Sequence, residues 1–236
     1  MLEKKRVMKG LLLTVLLLPG FVVAGADQSD PFEGYNRAVF SFNDKADRWL
    51  LKPVAKGYRY ATPDVVERGV SRMFSNLGEV LNVVNDLLQG KVGQAGNDGG
   101  RLLINSTIGI VGFFDVAQHV GLERSDGEDF GQTFGVWGVG EGAYLVLPFL
   151  GSSTLRDAPG IVLNSFFNPI GEIDHVPTRN QLYGTQLVSG RASLLEAEKL
   201  IKGDRYTFVK DIYLQRRHFL INDGEVEDDF GDDDYY

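Results

Sequence analysis

Ser152 and Ser153, inside Gly151-Ser-Ser-Thr154, have the setting that most resembles a hydrolase nucleophile. Such a serine needs a base to activate it and a third group to orient the base. The chain offers only His119, His175 and His218, in three unrelated segments, and no Gly-x-Ser-x-Gly elbow. Thr154-Leu-Arg-Asp157 reads more simply as a helix N-terminus with a capping box, Asp157 at its third position. Asp174-His175 is a lone pair, and no two histidines stand at ligand spacing on a helix, so no metal is expected. Gly138-x-Gly140-x-Gly142 lacks dinucleotide-fingerprint spacing, and no Walker loop is present. The residues point to no enzyme activity, no cofactor and no energy source of the chain's own.

The chemistry must then lie in the elements themselves. Glycine makes up 29 of 236 residues, about 12%, against roughly 7% in ordinary proteins. Gly127, Gly131, Gly135, Gly138, Gly140 and Gly142 crowd into sixteen residues. Glycine loses much backbone entropy on folding, so the cluster implies unusual torsions or close backbone approach. A turn-rich surface loop and a mobile gate beside a binding site both fit. Phe134–Trp137 and Tyr144–Leu147, separated by glycines, carry the only strand signal and suggest one short hairpin.

Everything else is helical. Tyr35, Val39, Phe42, Ala46 and Trp49 recur at spacings of four, three, four and three, along one face of a helix bounded by Pro31 and Pro53. Val66, Val70, Met73, Leu77, Val80, Val84 and Leu87 continue that rhythm from Pro63 to Gly90, with a kink or break expected at Asn76-Leu-Gly78. Val92–Val111 has a face of small residues, which lets helices approach closely. Leu155–Phe167, Gln181–Ile201 and Asp204–Leu220 complete an all-α class with at most one hairpin. In the last helix Arg205, Phe208, Val209, Ile212, Arg216 and Phe219 share a side. No apolar run in the domain approaches the ~20 residues of a membrane span. Periodicity fits equally a body packed on its own core and one lying in a membrane interface.

The ends are distinct. Lys4, Lys5, Arg6 and Lys9 precede an apolar stretch from Leu11 to Leu18, and Ala24-Gly-Ala26 forms a small-residue cleavage site. Residues 1–26 are therefore read as a cleaved secretory signal, 27–222 as one domain, and 223–236, with eight acidic residues and no basic one, as a disordered acidic tail. The formal charge is −8, and an acidic chain without a basic stripe argues against nucleic acid. There is no cysteine.

Ordered blocks of sequence add a resemblance. Asp30-Pro-Phe-Glu-Gly-Tyr-Asn-Arg37, Phe40-Ser-Phe-Asn43, Arg101-Leu-Leu-Ile-Asn-Ser-Thr107, Asp129-Phe-Gly-Gln-Thr-Phe-Gly135, Leu147-Pro-Phe-Leu-Gly151 and Ser153-Thr-Leu-Arg-Asp157 resemble, in order, the motifs of the MlaA (VacJ) family. The resemblance runs from Asp30 to about Gly224. It implies helices forming a ring around a central amphipathic channel, seated in the inner leaflet of the outer membrane of Gram-negative bacteria. It further implies binding to porin trimers, and removal of phospholipids from the outer leaflet to a periplasmic carrier of the MlaC type. On that basis Phe130, Gly131, Phe134, Gly135, Gly138, Gly140, Gly142, Tyr144 and Leu147 are expected to line or gate the channel. Tyr35, Val39, Phe42 and Trp49 are expected to hold the ring in the leaflet. Family members carry a lipid on a cysteine at the cleavage site, which this sequence lacks, so the helix face is expected to share in anchoring. A soluble periplasmic lipid-binding or scaffold protein and, less favoured, a phospholipase acting through Ser152 or Ser153 are the rival readings.

Overall fold

The structure, a computed structural model, describes residues 30–225; the signal segment and the tail beyond Glu225 lie outside the described residues. Helix α1 (Glu33–Ala46) starts two residues after Pro31, where Asp30 accepts the Phe32 N–H at 3.1 Å. Pro53 does not end it. A single π-helical turn, Asp47–Leu51, carries the chain directly into α2 (Lys52–Ala61), with Pro53 in its first turn. There the missing proline N–H breaks no ladder, because the wide turn has already shifted the bonding partners.

Helix α3 (Asp64–Gln89) runs unbroken for 26 residues, so the kink expected at Asn76-Leu-Gly78 is absent. Asn76 is there for a tertiary reason. Its amide donates to Ser106 Oγ at 2.9 Å, and Gly112 packs so tightly on it that a Cβ would stand 2.4 Å from the Asn76 Cβ. After a tight turn α4 (Val92–Thr107) returns against α3. Helix α5 (Phe130–Val136) occupies the stretch expected to be the first hairpin strand. Asp129 caps it by accepting the Gln132 N–H at 2.8 Å, which makes Phe134–Trp137 helix and turn instead of strand. The hairpin pairs β1 (Tyr144–Leu147) antiparallel with β2 (Gly151–Thr154), Tyr144 opposite Thr154. Helices α6 (Asp157–Phe166), α7 (Val176–Ser193) and α8 (Arg205–Ile221) follow. Helix α7 starts earlier than periodicity suggests, because His175 accepts the Thr178 N–H and Pro177 sits in the first turn, and it ends at Ser193.

The contacts close on themselves. Helix α1 touches β1, β2 touches α8, α8 touches α5, α5 touches α3, α3 touches α7, and α7 touches α2, which returns to α1 through the π-turn. The fold is thus mostly α and ring-like, with one two-stranded sheet.

Burial is inverted relative to an ordinary core. Among the described residues 11 hydrophobic side chains are buried, four of them alanines, against 16 polar or charged ones. On α3 the buried positions are Gly69, Asn76, Glu79, Asn85 and Asp86, whereas Val66 and Leu87 of the expected apolar face are exposed. On α8 the buried pair is Tyr206 and Arg217, with Ile212 and Phe219 outside. Burying polar groups is tolerable only when they are bonded to one another. Most are. On α4, Arg101 donates to Asp115 Oδ2 at 2.9 Å and to the Leu122 carbonyl at 2.8 Å and reaches Glu79 of α3 at 3.5 Å, and Asn105 holds Asp115 and the Ala117 N–H.

Asp86 is the extreme case: it is fully buried and neither carboxyl oxygen has a donor, whereas Asn76 and Gln132 each leave one oxygen without a partner. Burial first, then the charges of Asp98 and Glu128, push its carboxyl up to about 7 against the opposing pull of Lys91. Protonated, it can donate to Asp98; ionised, it has no partner. The unfolded chain would lose this proton near pH 4. The folded state therefore holds an extra proton between about pH 4 and 7, and stability falls as pH rises through that window. Asp86→Asn should raise the melting temperature at about pH 8 and change it little near pH 4, measured by circular dichroism in detergent.

Two asparagines bind α1 to the sheet. Asn36 donates to the Tyr144 carbonyl at 3.0 Å and accepts from the Val146 N–H at 2.8 Å. Asn43 does the same with Leu147 (2.9 Å) and Phe149 (2.8 Å). Seven helical residues rise about 10.5 Å, which matches three residues of strand. Asn36→Ala would strand two buried backbone groups and should cost on the order of 2 kcal/mol, read as a lower thermal midpoint; Asn36→Asp should not restore it.

Candidate functional site

Phe130 and Phe134, four residues apart on α5, are both buried, Phe130 against Phe167 with ring centroids 5.3 Å apart. Gly131 and Gly135 occupy the same spacing on the face turned to α8. A Cβ on Gly131 would stand 2.5 Å from the Arg217 guanidinium, and one on Gly135 would stand 2.8 Å from Ile221 Cδ1. Gly160 of α6 comes so close that its Cβ would stand 2.7 Å from the Gly131 nitrogen. These glycines therefore permit close approach, which half answers why the segment is glycine-rich. Gly138 and Gly142 answer the rest, with φ of +86° and +69° in the link to β1; Gly140 lies between them.

The approach at Gly131 is filled by a buried ionic cluster. Arg217 donates twice to Asp129 (2.7 and 3.0 Å) and stands 2.9 Å from Asp157, which also accepts from Arg156 Nε (2.8 Å) and Tyr213 Oη (2.7 Å). Burial opposes the charge on Asp157, but the Arg156 hydrogen bond and both guanidinium charges hold its carboxyl below the usual range. Asp157 is thus an ion-pair centre and not the reciprocal half of a capping box. Thr154 does keep its half, accepting the Asp157 N–H at 3.1 Å. Sequence reasoning gave no role to Asp129, Arg156, Arg217 or Tyr213; the signal available for Asp129 and Arg156 was their place inside the ordered motif blocks.

Tyr144 joins this cluster to the opening helix. It packs edge-on against Tyr206 (6.2 Å) and Tyr213 (6.1 Å), and its hydroxyl bonds Ser152 at 2.8 Å. Burial pushes its phenol up, so it stays protonated. Tyr206 donates to Asp30, and its ring carries the Arg37 guanidinium 4.4 Å above it. Leu147 lies half-buried at the strand end whose carbonyl Asn43 holds. At the hairpin tip Phe149, 78% exposed, meets Phe42 edge-on at 5.1 Å. The structure thus brings Phe42, Tyr144 and Leu147 into one unit, with Val39 packed near Tyr144, whereas Phe130, Gly131, Phe134 and Gly135 form a separate joint against α8.

Tyr35 and Phe42 are half-exposed and Trp49 is 86% exposed, so the aromatic face of α1 is turned outward. It is one part of a wide apolar surface: 32 large hydrophobic side chains are exposed among the described residues. Ile108, Ile110, Val111 and Phe114 contribute a loop to it, with φ of 54° and 57° at Ile110 and Val111. A β-branched residue in that region is strained, and such strain persists only where its surroundings enforce it. No helix among the described residues is long and apolar enough to cross a membrane.

The serines have no base beside them. Ser153 is fully buried and bonds the Thr154 carbonyl, while Ser152 faces Tyr144. His119 bonds the Asp115 carbonyl, His175 caps α7 and His218 faces Asn222. Among the described residues no group of three His, Cys, Asp or Glu side chains could hold a metal.

The comparison with known proteins agrees with the motif blocks. The family model for the MlaA lipoprotein matches residues 28–220. The intermembrane phospholipid transport system lipoprotein MlaA of Escherichia coli K12 is 35% identical over 228 residues, covering 93% of this chain and 90% of that protein. The protein of the same name in Haemophilus influenzae is 32% identical, covering 85% and 82%. A solved structure, described as the structural basis for maintenance of bacterial outer membrane lipid asymmetry, superposes with a TM-score of 0.72 at 33% identity. It covers 83% of this chain and is itself covered completely. With the ring of helices and the motifs in register over this length, the chain belongs to the MlaA lipoprotein family.

Proposed function

We propose that this chain is the outer-membrane component of an intermembrane phospholipid transport system. Exported by its first 26 residues, it sits on the periplasmic side, in the inner leaflet, beside a porin trimer. Mislocalised phospholipids enter from the outer leaflet and pass through the amphipathic middle of the ring to a periplasmic carrier of the MlaC type. The observation that carries this reading is the inversion of burial, with bonded polar groups inside and 32 large apolar side chains outside. A monomer in water rarely exposes so much apolar surface, whereas a ring lying in hydrocarbon must. A headgroup crossing hydrocarbon bare would strip its charges of partners at a cost of several kcal/mol. A polar passage removes that cost and leaves the acyl chains against apolar walls. The two relatives' names and the family membership support the same reading. Nothing in it requires bond cleavage, and the protein acts as a conduit and not as an enzyme.

In this proposal Tyr35, Phe42 and Trp49 lie in the leaflet, while Val39 braces the helix against the Tyr144 cluster. The hairpin bearing Tyr144 and Leu147 lines or gates the passage, jointed at Gly138, Gly140 and Gly142. Phe130, Gly131, Phe134 and Gly135 hold the fixed side of that joint against α8. The chain should be recovered from outer membranes only with detergent and should co-purify with porin; release into the soluble fraction by a salt wash would instead support a periplasmic lipid-binding protein. Because the sequence holds no cysteine, Phe42→Cys with Phe149→Cys gives a unique thiol pair. Bridging it with a short bis-methanethiosulfonate, which forms a disulfide with each thiol and releases methanesulfinate, should reduce phospholipid transfer to the carrier at least tenfold, reversibly on reduction. Full transfer through the bridged protein would show that the hairpin does not move as a gate.

A further inference from the structure

A cavity of about 530 Å³ lies between α2 and the turn Ala197–Leu200, away from the hairpin, and its walls are cationic. Lys52, Lys56 and Arg59 stand four and three residues apart on α2, which places them on one helical face. Lys199 faces them from the turn. The carboxylates present are already shared. Glu196 is bonded by Arg59 (3.1 Å) and Lys199 (2.6 Å), and Glu198 by Lys52 (2.9 Å), Arg205 (2.9 Å) and Arg191. Although burial opposes its ionisation, hydrogen bonds from Arg191, Lys52 and Arg205 hold the Glu198 carboxyl down to about 2. Lys56 has no ionic partner among the described residues, so positive charge is left over at the cavity. Tyr60, 95% exposed, forms part of its wall, and the exposed Trp49, Leu50 and Leu200 flank the same elements. Tyrosine and tryptophan beside lysine and arginine suit the depth at which phosphates give way to hydrocarbon.

We propose that this cavity binds the phosphodiester headgroup of an anionic phospholipid, holding the ring to the leaflet at a point separate from the passage. The phosphate accepts from Lys56 and from the cations around it, while Tyr60 and Trp49 lie beside the glycerol and upper acyl chain. The inference rests on the reading that the chain lies in a lipid leaflet, and the test separates the two. Full-length protein is floated with vesicles of phosphatidylethanolamine and phosphatidylglycerol, or of phosphatidylethanolamine and phosphatidylcholine. Wild type should bind the anionic vesicles about tenfold more tightly. Lys56→Glu should lose most of that preference, Lys56→Arg should keep it, and both should bind neutral vesicles as wild type does, with unchanged far-ultraviolet spectra. An undiminished preference in Lys56→Glu, or none in wild type, would overturn the site. Glycerophosphoglycerol that binds free protein as tightly as the vesicles do would assign the cavity to a soluble phosphodiester and overturn the lipid assignment. Phospholipid transfer by wild type without any vesicle preference would defeat this inference alone. The expected preference in a protein that transfers no lipid would defeat only the transport reading.

Discussion

Several joints of the ring depend on buried polar groups that find partners in another segment, while α2 meets the end of α7 through Ala55, Ala192 and Leu195. Asn36 and Asn43 complete the free edge of β1, Arg217 ties Asp129 of the α5 cap to Asp157 of α6, and Arg191 ties α7 to Asp47 of the π-turn. Each of these contacts links residues far apart in sequence. Broken singly, a buried ion pair leaves an uncompensated charge, which is far worse than the pair is good. The ring is therefore held by contacts that specify geometry more than they add stability.

That constraint explains why the apolar side chains could be turned outward. In water a fold draws its stability from burying them. In the leaflet position proposed above, hydrocarbon would already surround them, which would leave the interior free to be polar. The same inversion leaves the glycines with a defined role. Gly131, Gly135 and Gly160 bring α5, α6 and α8 close enough for Arg217 to reach both aspartates. Larger residues there would push the charges apart, and the ionic joint with them.

Two polar regions remain distinct in character. The α3–α4 seam, with Glu79, Arg101, Asp115 and the unpartnered Asp86, is sealed within the protein. The α2 cavity is open, cationic and bordered by exposed aromatic and aliphatic side chains. The sealed seam fixes two helices; the open one has the chemistry to meet something outside.

The sequence by itself determined where most of the long helices lie, because three-four spacing of side chains depends only on the helical repeat, although it stopped the first at Pro53 and did not foresee α2 or α5. It determined the family too, through the order of its motifs. It also placed Tyr144–Leu147 in a strand. It left undecided which face of each helix was inside. Val66, Leu87, Ile212 and Phe219 kept the rhythm of a core and stand exposed, since periodicity reports two faces without saying which solvent each will meet. The partner of β1 was misplaced for a related reason. Phe134–Trp137 has strand-forming residues, but the Asp129 cap and the packing of Gly131 against Gly160 made it a helix, leaving β1 to pair with Gly151–Thr154. The hairpin edge bound by Asn36 and Asn43, and the charges gathered around Gly131, were decided only by tertiary structure. The asparagine pairings span 104 to 110 positions and those of Asp129 and Asp157 with α8 span 88 and 56, and no local pattern records them.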